Sequence, residues 1–129
     1  MNSAEFPSSV EMWRFLPWGY AITVLIELPV LWFGLSPRHN SWTRIGAGFW
    51  LTACTYPIVV LVLPMTVWRL WGYGNYLLVA EVFAPAAECL LFMAVWGRKT
   101  AYRDGTAVVA ANLSSFLIGM GLRACGFDL

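Results

Sequence analysis

Residues 76–96 read YLLVAEVFAPAAECLLFMAVW. A helix needs about 20 mostly apolar residues to cross a bilayer, and this run supplies them. It nevertheless carries two glutamates, Glu81 and Glu88, and no lysine or arginine to neutralise them. Two helical turns separate the pair, so Glu81, Ala84 and Glu88 fall on one side of the helix. An ionisable side chain at bilayer depth is costly and is rarely left there without a task. The pattern predicts a membrane helix with an acidic stripe.

Three further runs, 18–35, 45–65 and 106–123, are of the same kind, and the first holds a third glutamate, Glu27. The expected fold is all-α: an integral membrane four-helix bundle forming a single transmembrane domain over 1–129. Polar breaks separate the runs. They are Ser36–Ser41, with Ser41 as a candidate cap of the second helix, the segment Arg69–Asn75, and the pair Gly97–Lys99 and Arg103–Gly105. Trp18, Trp42, Trp68, Trp71, Tyr73, Tyr76, Trp96 and Tyr102 lie near the span ends, where amphipathic rings favour the headgroup level.

The composition is 60% hydrophobic and 12% charged, against about 25% charged in soluble domains. The bulk solvent must be lipid. A net charge of +1 argues against a nucleic-acid partner, which demands a basic face. The first sixteen residues lack the charged start and short apolar run of a cleaved export signal. Cys54, Cys89 and Cys125 form no CxxC pair and read as free thiols in or beside the spans.

Ser8-Ser9-Val10-Glu11 has the spacing of a capping box. With Met12, Trp13, Phe15 and Leu16 after it, the reading is a short N-terminal interfacial helix ended by Pro17. Orientation follows from the basic residues. Arg38, Arg44, Arg98, Lys99 and Arg103 flank the loops after spans one and three, against Arg14, Arg69 and Arg123 on the other side. That bias puts both hairpin loops in the cytoplasm and both termini outside.

The two halves look alike. A shift of about 60 positions lays Glu27 near Glu88, Thr52 on Asn112, Thr55 on Ser115 and Tyr56 on Phe116, as expected of two repeated helical hairpins related by an axis along the membrane normal. Polar groups also share a depth. Glu27 falls at the middle of span one and Glu88 near that of span three; Thr52, Thr55 and Tyr56 bracket the middle of span two, and Asn112, Ser114 and Ser115 that of span four. The candidate ligand-binding residues are therefore Glu27, Glu81, Glu88, Thr52, Thr55, Tyr56, Asn112 and Ser115.

Pro29, Pro57 and Pro85 lie inside spans one to three, each freeing the carbonyl four residues earlier: Leu25, Ala53 and Glu81. Freed oxygens are met by a hydroxyl or water, or coordinate a cation. Ala107, Ala111, Ser115 and Gly119 form a ridge of small residues suited to close helix packing, and Gly46 and Gly48 offer the same to span two.

With no basic partner in the spans, each glutamate either carries a proton and bonds to a polar neighbour or holds a cation that comes and goes. Zinc- or iron-type chemistry is disfavoured, because the only histidine, His39, lies in a hydrophilic loop. No cofactor is implied. Oxygen-only ligands suit a hard cation, a proton or an organic amine. Nucleophilic catalysis lacks its usual base, since no histidine or lysine shares the layer with the serines.

Glu27-Leu28-Pro29, Thr55-Tyr56-Pro57, paired Glu81 and Glu88, and Asn112-Leu113-Ser114-Ser115-Phe116-Leu117-Ile118-Gly119 together resemble the motifs of a scattered group of small bacterial four-helix inner-membrane proteins. That resemblance implies a bacterial inner-membrane setting and supplies no activity; Tyr56 stands where histidine is usual. Small multidrug transporters share the size and an intramembrane glutamate, without their other sequence marks. Two readings follow. One is a carboxylate site that binds or moves a proton, cation or cationic solute, in a homo-oligomer or larger membrane complex that completes the pathway. The other is a non-catalytic accessory subunit of such a complex.

Overall fold

The computed structural model describes residues 6–126. Among them, four helices are long and apolar enough to cross a membrane: α1 (Ser9–Gly34), α2 (Ser41–Trp71), α3 (Tyr73–Trp96) and α4 (Ala101–Ala124). α1 packs against α2 and α4, and α3 packs against the same two, closing a four-helix bundle. Large apolar side chains cover the outside, Phe33 being 80% and Trp42 82% exposed, as expected of a lipid-facing surface.

The capping box is present, but it opens α1 itself. Ser8 Oγ accepts from the Glu11 N–H at 3.2 Å, and Glu11 Oε2 accepts from the Ser8 N–H at 3.0 Å. The helix then continues without a break through Pro17 and Pro29 to Gly34. The expected separate interfacial helix is therefore corrected to the first turns of α1. Met12, 2% exposed, is docked into the bundle, and that packing outweighs the single backbone bond a proline deletes.

α2 is capped by Asn40 rather than Ser41: its side chain accepts from the Thr43 N–H at 2.8 Å. α2 runs as α-helix to Pro57 and then widens into two π-helical stretches, Ile58–Val62 and Pro64–Trp68. Each stretch starts at or just after a proline. The Leu63 N–H reaches Ile58 O and the Arg69 N–H reaches Pro64 O, five residues back. The expected linker Arg69–Asn75 shrinks to one residue, Gly72, whose φ of 90° lies in the left-handed region that glycine tolerates.

The hairpin-loop end holds the solid part of the core: Leu31, Leu35, Ala47, Leu51, Phe92, Ala107, Val108 and Ala111. The α4 ridge serves this packing, Ala107 lying directly against Gly34. On α2 only Gly48 meets α1, at Leu28, whereas Gly46 has nothing near it. Arginines finish the same end. Arg44 donates to the carbonyls of Trp32, Ser36 and His39, and Arg103 to that of Gly34, satisfying the open carbonyls where α1 stops.

Candidate functional site

All eight residues singled out in the sequence line one cavity of about 160 Å³, room for a few waters or a small solute. Its floor is made by two carboxyls. Glu27 and Glu88 are 2% and 3% exposed. Glu27 Oε2 accepts from Thr52 Oγ1 at 3.1 Å, and Oε1 from Ser115 Oγ at 2.8 Å. Glu88 Oε1 lies 2.6 Å from Thr55 Oγ1, and Oε2 accepts from Asn112 Nδ2 at 2.7 Å.

The pairing is crosswise. Each glutamate takes one bond from the second helix of its own hairpin, Thr52 for Glu27 and Asn112 for Glu88. It takes the other from a hydroxyl of the opposite hairpin, Ser115 and Thr55 respectively. The three-residue spacings 52/55 and 112/115 place both donors of each helix on its inner face, so one pair of helices serves two carboxyls.

From this floor the cavity runs towards the ends of the chain, past Thr23, Val59, Leu77 and Gly119, to the exposed Arg123. Along α1, which begins at Ser9 rather than near residue 18, Glu27 lies beyond the middle of the helix, about 11 Å of helix rise from Gly34 at 1.5 Å per residue, whereas Thr55 and Asn112 fall near the middle of α2 and α4.

Other expectations are met unevenly. Glu81 lines the cavity at intermediate exposure, outside the bonded set. Tyr56 also lines it but donates to neither carboxyl; its hydroxyl presses on the buried Gly19, where an added Cβ would come within 1.8 Å. Leu25 and Ala53, whose carbonyls two prolines free, are not in the lining, so those oxygens do not form a shared site. Ser114 turns its hydroxyl back to Ala110 O.

Three aromatics assigned to the headgroup level instead turn inward. Trp68 and Tyr76 are buried, and with Tyr73 they form a cluster of rings on the cavity wall. Tyr76 donates to Val59 O at 2.8 Å, and Arg123 Nη1 to the Tyr73 hydroxyl at 2.6 Å. Trp68 closes the second π-helical stretch of α2.

The sequence reading missed a second buried cluster. Asp104, 1% exposed, accepts from the Ser36 N–H at 2.9 Å, His39 Nε2 at 2.9 Å and Thr100 Oγ1 at 2.5 Å. Arg38 stands 3.8 Å away and also binds Thr100 and the Trp96 carbonyl. His39 is thus not a solvated loop residue: it is 7% exposed, with Phe92 edge-on to its ring at 5.2 Å. A lone acid among Arg98, Lys99 and Arg103, in the hairpin loop on the same side as the loop that holds the chain's one histidine, was the available signal. This cluster ties the two hairpin loops together beneath the carboxyl floor.

Among the described residues no three histidine, cysteine, aspartate or glutamate side chains converge as a metal site. No family model, curated protein or solved structure matches the chain. The class is that of a multi-pass membrane protein with a buried carboxyl pair.

Proposed function

We propose that the protein binds a proton or small cation at its buried carboxyl floor and passes it between the cavity and the far side of the membrane. The observation that carries this reading is the floor itself: two buried carboxyls from separate helices, each with two side-chain hydrogen-bond partners, at the inner end of a cavity. Energetics favour function over a structural clasp. Placing an acid at mid-helix costs about 2.5–3.5 kcal/mol. An interhelical bond in lipid returns about 0.6 kcal/mol on average. Two bonds per carboxyl do not offset its burial, so leucines here would give a more stable bundle.

In a bacterial inner membrane, with the hairpin loops in the cytoplasm, the cavity faces the periplasm. The crosswise pairing supports descent from a duplicated hairpin, since exchanging the halves maps Glu27–Thr52 onto Glu88–Asn112 and Glu27–Ser115 onto Glu88–Thr55. Four helices leave little room for a full pathway, which favours assembly with further copies.

Proteoliposomes loaded with a pH dye test the reading. The intact chain should carry protons or sodium down an imposed gradient, and the double variant Glu27→Gln/Glu88→Gln should fold and carry none. No flux from the intact chain, together with a stoichiometric partner on purification, would overturn the proposal in favour of an accessory subunit.

A further inference from the structure

The two carboxyls differ in one partner, and that difference separates their roles. A hydroxyl owns one hydrogen, yet each hydroxyl at the floor stands within bonding distance of two acceptors. Thr52 Oγ1 is 2.8 Å from Gly48 O and 3.1 Å from Glu27. Ser115 Oγ is 2.9 Å from Asn112 O and 2.8 Å from Glu27. Thr55 Oγ1 is 3.1 Å from Leu51 O and 2.6 Å from Glu88. Where a hydroxyl gives its hydrogen to the backbone carbonyl, its contact with the carboxyl is a bond only if the carboxyl supplies the hydrogen.

Asn112 has no such freedom. Its Nδ2 is 3.0 Å from Val108 O and 2.7 Å from Glu88 Oε2. The carbonyl acceptor settles which end of the amide is nitrogen, and both of its hydrogens are used. Glu88 Oε2 is therefore a fixed acceptor. A proton on Oε1, given to Thr55, which in turn gives to Leu51 O, satisfies every contact with no remainder. A cation brought to Glu88 would instead face the positive end of the Asn112 amide.

Glu27 has hydroxyls on both sides. If Thr52 donates to Gly48 O and Ser115 to Asn112 O, both turn lone pairs towards Glu27. Once its proton has left, the carboxylate and the two hydroxyl oxygens make an all-oxygen set suited to a hard cation.

Resting on the transport reading above, we propose that Glu27 alone exchanges, releasing one proton to the cavity as one small monovalent cation takes its place, while Glu88 keeps its proton and holds α2 and α4 in position. The exchange leaves the charge of the floor unchanged: one proton out, one unit of positive charge in. A divalent ion would leave one positive charge in excess in a dry site. The other ionisable groups around the cavity are Glu81, Tyr73 and Tyr76 on α3, Tyr56 on α2 and Arg123 on α4. None of them is bonded to Glu27.

Glutamine imitates a protonated glutamate, and this makes the test asymmetric. Infrared spectra and dye-detected proton release are recorded on the purified full-length chain as sodium, lithium, potassium or calcium chloride is added. Sodium or lithium should release one proton per chain and remove one protonated-carboxyl band. Glu27→Gln should abolish both signals, and Glu88→Gln should preserve both. Asn112→Thr, which gives Glu88 the partner that Glu27 has, should raise the release towards two protons.

The inference is overturned if the lost band disappears in Glu88→Gln, if calcium releases two protons from the unaltered chain, or if Glu88→Gln abolishes release while remaining folded. Any of those results with flux intact leaves the transport reading standing. Absence of both release and flux removes the two together.

Discussion

Towards the hairpin loops, the four helices meet through Leu31, Leu51, Phe92 and Val108, each about 1% exposed, and the Asp104 cluster seals them. Towards the chain ends, the same four helices enclose the cavity, walled by Trp68, Tyr73, Tyr76 and Tyr56. The carboxyls lie at the boundary. Small residues on α4 and at Gly34 let the loop half close, while rings and a widened α2 keep the other half apart. A buried carboxyl pair reached from one face is the outcome of that difference, and the tight half also supplies much of the rigidity that holds the donors in place.

The sharpest way to break this contrast is accessibility. In a chain whose native cysteines are replaced by alanine, Thr23→Cys should react with a water-soluble thiol reagent added from the side of the chain ends. Ala111→Cys should not react from either side, and equal labelling of the two would refute a closed loop half. Next in size is Asp104→Ala, which strands the Ser36 N–H and His39 Nε2 in a buried place. Its cost should be about 3–5 kcal/mol, read as a lowered unfolding midpoint in detergent.

Phe92→Ala should cost about 3–5 kcal/mol, because it opens a void in the packed half. Leu77→Ala, on the cavity wall, should cost only about 1 kcal/mol, since its neighbours already border empty space. Unfolding of the two variants side by side checks the comparison. The smallest effect is expected at Gly46→Ala, where an added methyl meets nothing within 4 Å. Higher helix propensity should stabilise the chain by up to about 1 kcal/mol, visible as a small upward shift in the same melt.

The carboxyl floor was legible in the sequence because acids and amides are conspicuous in apolar runs, and three-residue spacings fix a helix face. Glu27, Glu88, Thr52, Thr55, Asn112 and Ser115 were found for that reason. Asp104 and His39 were not, because polar side chains near a loop are ordinary and only tertiary packing buries these two. Pro17 misled, since a proline stop rule drawn from water fails where neighbouring helices hold the backbone. Trp68 and Tyr76 misled similarly. Their nearness to a span end suggested the headgroup layer, but packing decides where such a ring points: Trp68, in a π-helical stretch of α2, stacks on Tyr76 of α3, and hydropathy does not encode that contact.

The one-residue turn at Gly72 joins α2 to α3 beside the cavity mouth. A tether that short keeps those two helix ends within a single peptide's reach, so the entrance cannot dilate between them. Any larger visitor must part α1 from its neighbours or swing the final turns of α4.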